Sequence, residues 1–168
     1  DQGDPRWFYD NATLFGKIAI ILYILTTIPG IFRRFGKFYK PVSLLMIFRR
    51  WIGIMMFMLV FLHGSIKRFF SVMQGMPPAT PPIIFELFGT FSFLLLFFLF
   101  ITSNDWSVSK LGIWWHRIHN LTYTIVWLLF LHGAFQRLSI WTVLIGITSV
   151  AQIASHIYAK KKTRNPVI

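Results

Sequence analysis

The chain has 168 residues, of which 55% are hydrophobic, 18% aromatic and only 13% charged. Its 17 Lys and Arg outnumber 5 Asp and Glu, for a net charge of +12, but they sit in short clusters between apolar stretches. That pattern belongs to a polytopic membrane protein and argues against both a nucleic-acid-binding domain and a soluble globule, whose surface would have to be far more polar. There is no Cys, which excludes disulfides, thiolate metal sites and iron–sulfur clusters.

The polar opening DQGDPRWFYDNAT contains no cleavable signal peptide. Five apolar stretches then follow, each near the roughly 20 residues that a helix needs to cross a bilayer core of about 30 Å. They lie at about 14–32, 46–66, 82–102, 119–136 and 138–159. The intervening segments are short, so consecutive spans should be antiparallel. The expected fold is all-α, a single transmembrane bundle of five spans over residues 1–168, with no linker and no second domain.

The basic residues suggest an orientation. Arg33, Arg34, Lys37, Lys40, Arg49, Arg50, Lys110, Arg117, Lys160, Lys161, Lys162 and Arg164 fall at one end of the expected bundle. Arg6, Lys67, Arg68 and Arg137 fall at the other, and Lys17 lies within the first span. The positive-inside rule then places the N-terminus outside and the C-terminus in the cytoplasm, with spans two and four both running outward.

Those two spans end alike, in FLHGSIKR (61–68) and FLHGAFQR (130–137). His63 and His132 therefore sit at similar depth near the outer edge of the hydrocarbon. Ionisable side chains in lipid are costly and are candidates for function. Two neutral imidazoles at one depth on parallel helices make a natural axial pair for a heme iron, because bundle cores host cofactors through facing side chains. Gly64 and Gly133, one residue on, would leave room for a flat macrocycle. Lys67, Arg68 and Arg137 stand a turn further out, where propionates would seek cations. The plainer alternative is that each histidine is a hydrogen-bonded packing residue and that FLHG recurs by chance.

His119 starts span four, 13 residues before His132 and therefore roughly 20 Å deeper toward the cytoplasmic face. Thirteen residues are about 3.6 turns, so an undistorted helix would not place both on one face. Aligning the two FLHG segments sets Arg50 opposite His119, and a guanidinium, always protonated, cannot be an ordinary axial ligand. A second heme at that level would need another partner. His156, near the inward end of span five, fits by depth, with an interfacial role as the alternative; His116 is closer in sequence but interfacial. Trp115 and Arg117 flank the site, Arg117 being suited to a propionate or a flavin phosphate.

The segments TTIPGIFRRFGKFYKP, FRRWIGIMMFMLVFLHG and FITSNDWSVSKLGIWWHRIHNLTYTIVWLLFLHG resemble the ferric reductase-like transmembrane domain family. In particular they are similar to the heme-binding membrane subunits of periplasmic methionine sulfoxide reductase systems. The likeness covers about residues 10–160 and rests on the frame from Arg49 to His63 and on Leu111, Gly112, Trp115, His119 and Asn120. It implies one or two hemes b, with His63 and His132 as the outer pair and His119 as an inner iron ligand. It further implies electron flow from a cytoplasmic flavin (FMN) or quinol donor to a reductase partner outside, in a bacterial-type inner membrane. The family commonly has six helices, and the first has no counterpart here. Ferric reductases and NADPH oxidases carry a second histidine where this chain has Arg49 and Arg50, and they carry appended flavin and nucleotide domains.

No GxGxxG or Walker pattern occurs, so the expectation is an electron-transfer subunit without a complete active site of its own. A structural or assembly subunit of a larger membrane complex is the competing reading. A small transporter is weakly supported: besides Lys17 and the histidines, Glu86, one turn into span three, is the main ionisable candidate within a span.

Overall fold

The structure is a computed structural model, described here for residues 5–73, 75 and 83–164. It contains seven helices and, among the described residues, no strand. These are α1 Pro5–Arg34, α2 Lys40–Met73, α3 Ile84–Ile101, α4 Asp105–Leu111, α5 Ile113–His119, α6 Thr122–Gln136 and α7 Ile140–Arg164. Five stretches are long and apolar enough to cross a membrane: Asp10–Arg34, Lys40–Phe69, Ile84–Ile101, Ile113–Gln136 and Ile140–Thr163. The protein is a multi-pass membrane protein with an all-α bundle.

Local chemistry explains the ends of these helices. At the end of α1, Gly36 adopts φ 72° and donates its N–H to Arg33 O at 3.0 Å, while Lys37 donates to Phe32 O at 2.9 Å. This pair of bonds closes a helix with a left-handed glycine. Pro41 sits in the first turn of α2, where its missing N–H costs nothing. Asn104 caps α4, its side-chain oxygen accepting from Ser107 N at 2.8 Å. Gly112, at φ 51°, makes the corner into α5.

The structure revises several boundaries: α1 begins well before residue 14 and α7 runs past 159. α2 overruns the expected 46–66 at both ends, because its flanking basic side chains can reach polar surroundings while the backbone stays helical. Span four begins at Ile113, not 119, and is not one regular helix. Between α5 and α6, Leu121, Tyr123 and Thr124 each donate to the carbonyl three residues back, at 2.9, 3.0 and 2.9 Å. This is a short 3₁₀-like tightening, and it falls between His119 and His132.

α1 packs along α2 and α7, α6 packs along α3 and α7, and α2 meets α3, so the five spans close a ring. Each span contributes to the core: Ala19 and Tyr23 from α1, Met56 and Phe57 from α2, Leu96 from α3, Ile125 and Val126 from α6, and Ile145 from α7. Phe57 stacks on Phe100 at 4.4 Å and on Phe93 at 5.6 Å. Lipid is as apolar as leucine, so close packing of this kind holds the spans together where water exclusion cannot.

Candidate functional site

α2 and α6 run parallel and carry His63 and His132 near the same end of the bundle. Each imidazole leaves its own helix and lodges against the neighbouring antiparallel one. His63 Nδ1 lies 2.7 Å from the Ala12 carbonyl of α1, and His132 Nδ1 lies 2.8 Å from the Phe85 carbonyl of α3. A carbonyl only accepts, so Nδ1 is the donor in both, and the lone pair is left on Nε2.

The close approach depends on glycine. A Cβ built on Gly16 would stand 2.9 Å from His63 Nδ1, and one built on Gly89 would stand 2.8 Å from His132 Nδ1. Each glycine lies four residues after the accepting carbonyl, one helical turn away. Neither was singled out from sequence, although a signal exists: Leu14-Phe15-Gly16 and Leu87-Phe88-Gly89 repeat just as FLHG does. The duplicated unit is thus a hairpin, an LFG helix paired with an FLHG helix.

The flanking residues differ between the two hairpins. A Cβ on Gly64 would meet open space, whereas one on Gly133 would lie 3.0 Å from Thr142 Oγ1 of α7. The room expected beside Gly133 is therefore filled by Thr142, which donates its hydroxyl to Arg137 O at 3.0 Å. Lys67 turns toward α1 and donates to Thr13 Oγ1 at 2.8 Å. Arg68 and Arg137 are exposed, and Glu86 is half-buried on the first turn of α3.

At the other end, His119 closes α5. Trp115 stacks on its ring at 4.0 Å and donates its indole N–H to Thr102 O at 2.9 Å. The Thr102 hydroxyl donates to Phe98 O at 2.7 Å, so at 3.2 Å it accepts from His119 Nε2. His119 thus uses the nitrogen that His63 and His132 leave free, and ligation through Nε2 would exchange that bond. Arg49 acts electrostatically on His119, Tyr23 and Tyr123, while Arg50 pairs with Asp105 at 2.7 Å. The residue aligned with His119 by sequence, Arg50, therefore stands at the rim, and its neighbour Arg49, also exposed, is the arginine within electrostatic reach of His119.

His156 belongs to a different cluster. It packs edge-on against Tyr123, with ring centroids 4.6 Å apart. Arg34 of α1 lies over the Tyr123 ring at 5.1 Å, donates to the Tyr123 hydroxyl, and donates to Ser155 Oγ at 3.1 Å. His119 and His156 thus answer to different partners, Thr102 and Trp115 for one, Tyr123 for the other. His116 is exposed against Trp115, and Arg117 rests 4.6 Å over the Trp114 ring.

Two nitrogen donors with fixed tautomers, on parallel spans beside a glycine with open space, are a donor set that fits a low-spin heme. Among the described residues no three His, Asp or Glu side chains cluster as a bare metal ion would require. No solved structure matches the chain. The family model for the ferric reductase like transmembrane component matches residues 15–130, from the first LFG glycine's neighbour to two residues short of His132. With well over half of its length matched, the chain belongs to the ferric reductase-like transmembrane family.

Proposed function

We propose that this protein is a heme b electron-transfer subunit of a bacterial-type inner membrane. It takes electrons from a cytoplasmic flavin or quinol donor and delivers them to a reductase partner on the outer side. The observation that carries the reading is the matched pair of Nδ1–carbonyl bonds at His63 and His132, which leaves two Nε2 lone pairs on parallel spans. A carbonyl bond of this kind is how proteins orient imidazoles that ligate metals. Heme b, when bound, supplies the one-electron couple; the chain supplies the ligands, their orientation and an apolar enclosure.

The inner end supports a second relay. His119 stands where an electron entering from the cytoplasmic side would arrive, with the Trp115 indole stacked on it and the Arg49 charge beside it. His156 is the candidate partner at that level, and Arg117 supplies positive charge at the rim, where the charge of Arg50 is already paired with Asp105. The sequence likeness to the membrane subunits of methionine sulfoxide reductase systems makes a soluble periplasmic reductase the proposed acceptor.

The test is optical. His63→Ala and His132→Ala, purified from membranes with wild-type yield, should each lack the Soret band of the outer heme. Full heme content and an unchanged spectrum in both variants would refute the pairing.

A further inference from the structure

We infer that Gly16 and Gly89 are positioning residues, a duplicated pair of backbone notches that hold His63 and His132 as Nδ1–H tautomers and aim Nε2 at the shared site. The inference rests on the proposed heme ligation for its purpose, but its geometry stands without it.

Three observations converge. The contacts are alike in kind and in offset: carbonyl of residue 12 with glycine 16, carbonyl of residue 85 with glycine 89. The contacts are too close for any side chain, since Cβ atoms essentially never approach a ring nitrogen at 2.8–2.9 Å. An alanine there would have to push the imidazole off its carbonyl, not merely crowd it. Finally, the notch at Gly16 is enclosed. Ala12, one turn from Gly16, is fully buried, so the notch lies inside the bundle.

The physical role follows from the tautomer. A neutral imidazole in an apolar site carries its proton on whichever nitrogen finds an acceptor. With Nδ1 committed to a backbone carbonyl, Nε2 cannot hold the proton without leaving Nδ1 unpaired in a medium where that is costly. The ring plane is fixed as well, because the notch grips one edge. A backbone acceptor does this without adding a charge, which a carboxylate in the same position would bring into the membrane.

The rest of the bundle supplies controls. Gly53, on α2, would carry a Cβ in open space; Gly146, on α7, would meet Phe130 at 3.0 Å and no histidine. Gly53→Ala should change nothing, and Gly146→Ala should disturb packing only. Gly16→Ala and Gly89→Ala should each weaken heme retention by about 10–100-fold, the effect typical of removing a ligand's outer hydrogen bond. A second readout needs no heme: ¹⁵N NMR of the histidine-labelled full chain, purified from heme-deficient cells. Wild type should show two imidazoles with a protonated Nδ1 and bare Nε2, assigned by His63→Ala and His132→Ala. Gly89→Ala should abolish the pattern at His132 and spare His63, and Gly16→Ala the reverse.

Protonated Nε2 on both rings in wild type would overturn the inference, as would heme retention in both glycine variants equal to that of Gly146→Ala. A wild type that takes up no heme, yet shows the two Nδ1–H rings and loses one with each glycine variant, would instead sink the heme reading and leave the notches standing.

Discussion

The Tyr23 hydroxyl of α1 donates to the Thr122 carbonyl of α6 at 2.6 Å, in a site closed to solvent. The two residues are 99 positions apart, and the bond ties α1 to the tightened turn that separates His119 from the outer part of span four. Tyr23→Phe removes one donor and leaves the shape intact. It should destabilise the detergent-solubilised protein by about 1 kcal/mol, a drop of roughly 2–4 °C in Tm. A thermal melt followed by circular dichroism measures it. A variant as stable as wild type would mean that the turn is held by packing alone.

The orientation proposed from the basic residues is open to direct labelling, since the chain has no Cys of its own. Lys37→Cys and Met73→Cys both place an exposed thiol beyond a span end, on opposite ends of α2 or its approach. An impermeant maleimide applied to intact cells should label position 73 and not 37. The opposite result would reverse the topology and with it the direction of electron flow.

Heme content distinguishes a conduit from a single-site protein. Wild type should carry about two hemes per chain, and His119→Ala about one, with reduction from the cytoplasmic donor lost. His156→Ala should lose the same heme if it is the partner of His119. Its present contacts with Tyr123 make a conformational adjustment part of that expectation. A wild-type ratio near one, unchanged in both variants, would leave the outer heme alone and refute the inner relay.

The two adjacent arginines of α2 should behave differently. Arg49→Gln removes the charge that acts on His119 and should shift the spectrum or potential of an inner heme. Arg50→Gln breaks an exposed ion pair with Asp105 and should leave heme properties unchanged. Hydrogen bonding to Arg50, reinforced by its charge, holds the Asp105 carboxyl below the usual carboxylate range. A depressed value means that the pair contributes above the unfolded-state pKa, near 4, and is lost as pH falls through the folded one. Arg50→Gln should therefore lower stability between pH 5 and 8 by a small amount that does not vary with pH, and the difference from wild type should vanish as pH falls below that range, which parallel melts would test.

Much of this architecture was legible in the residues. The five spans follow from uninterrupted Phe, Leu and Ile, and the parallel placement of His63 and His132 follows from counting crossings. Helical arithmetic asked for either a distortion between His119 and His132 or hemes on different sides of the helix, and it could not choose, because Asn120 and Leu121 look unremarkable in a helix. The short α4 lacks the length for a periodicity, and its Asn104 cap is the only signal that precedes it. Gly16 and Gly89 escaped notice for a different reason. A glycine in an apolar helix ordinarily reads as a close-packing residue, and only the three-dimensional pairing with histidines one helix away gives it a distinct meaning. The contrast between Arg49 and Arg50 was likewise invisible, since it depends on the partners each finds in space, Asp105 for Arg50 and His119 for Arg49.

The notched histidines also bear on how the hairpins settle into register. Two helices rich in Phe and Leu can slide past one another in lipid with little change in energy, because one apolar contact replaces another. An imidazole seated beside a glycine acts as a detent against that sliding. A shift of one turn, about 5.4 Å, would part Nδ1 from its carbonyl and drive the ring against a side chain instead of a glycine. Each hairpin is therefore indexed at a single point, α2 against α1 at Gly16 and α6 against α3 at Gly89. The depth of each ring is then set against its partner helix, whatever the length of the helices, and α2 is free to overrun at both ends without moving His63 along α1.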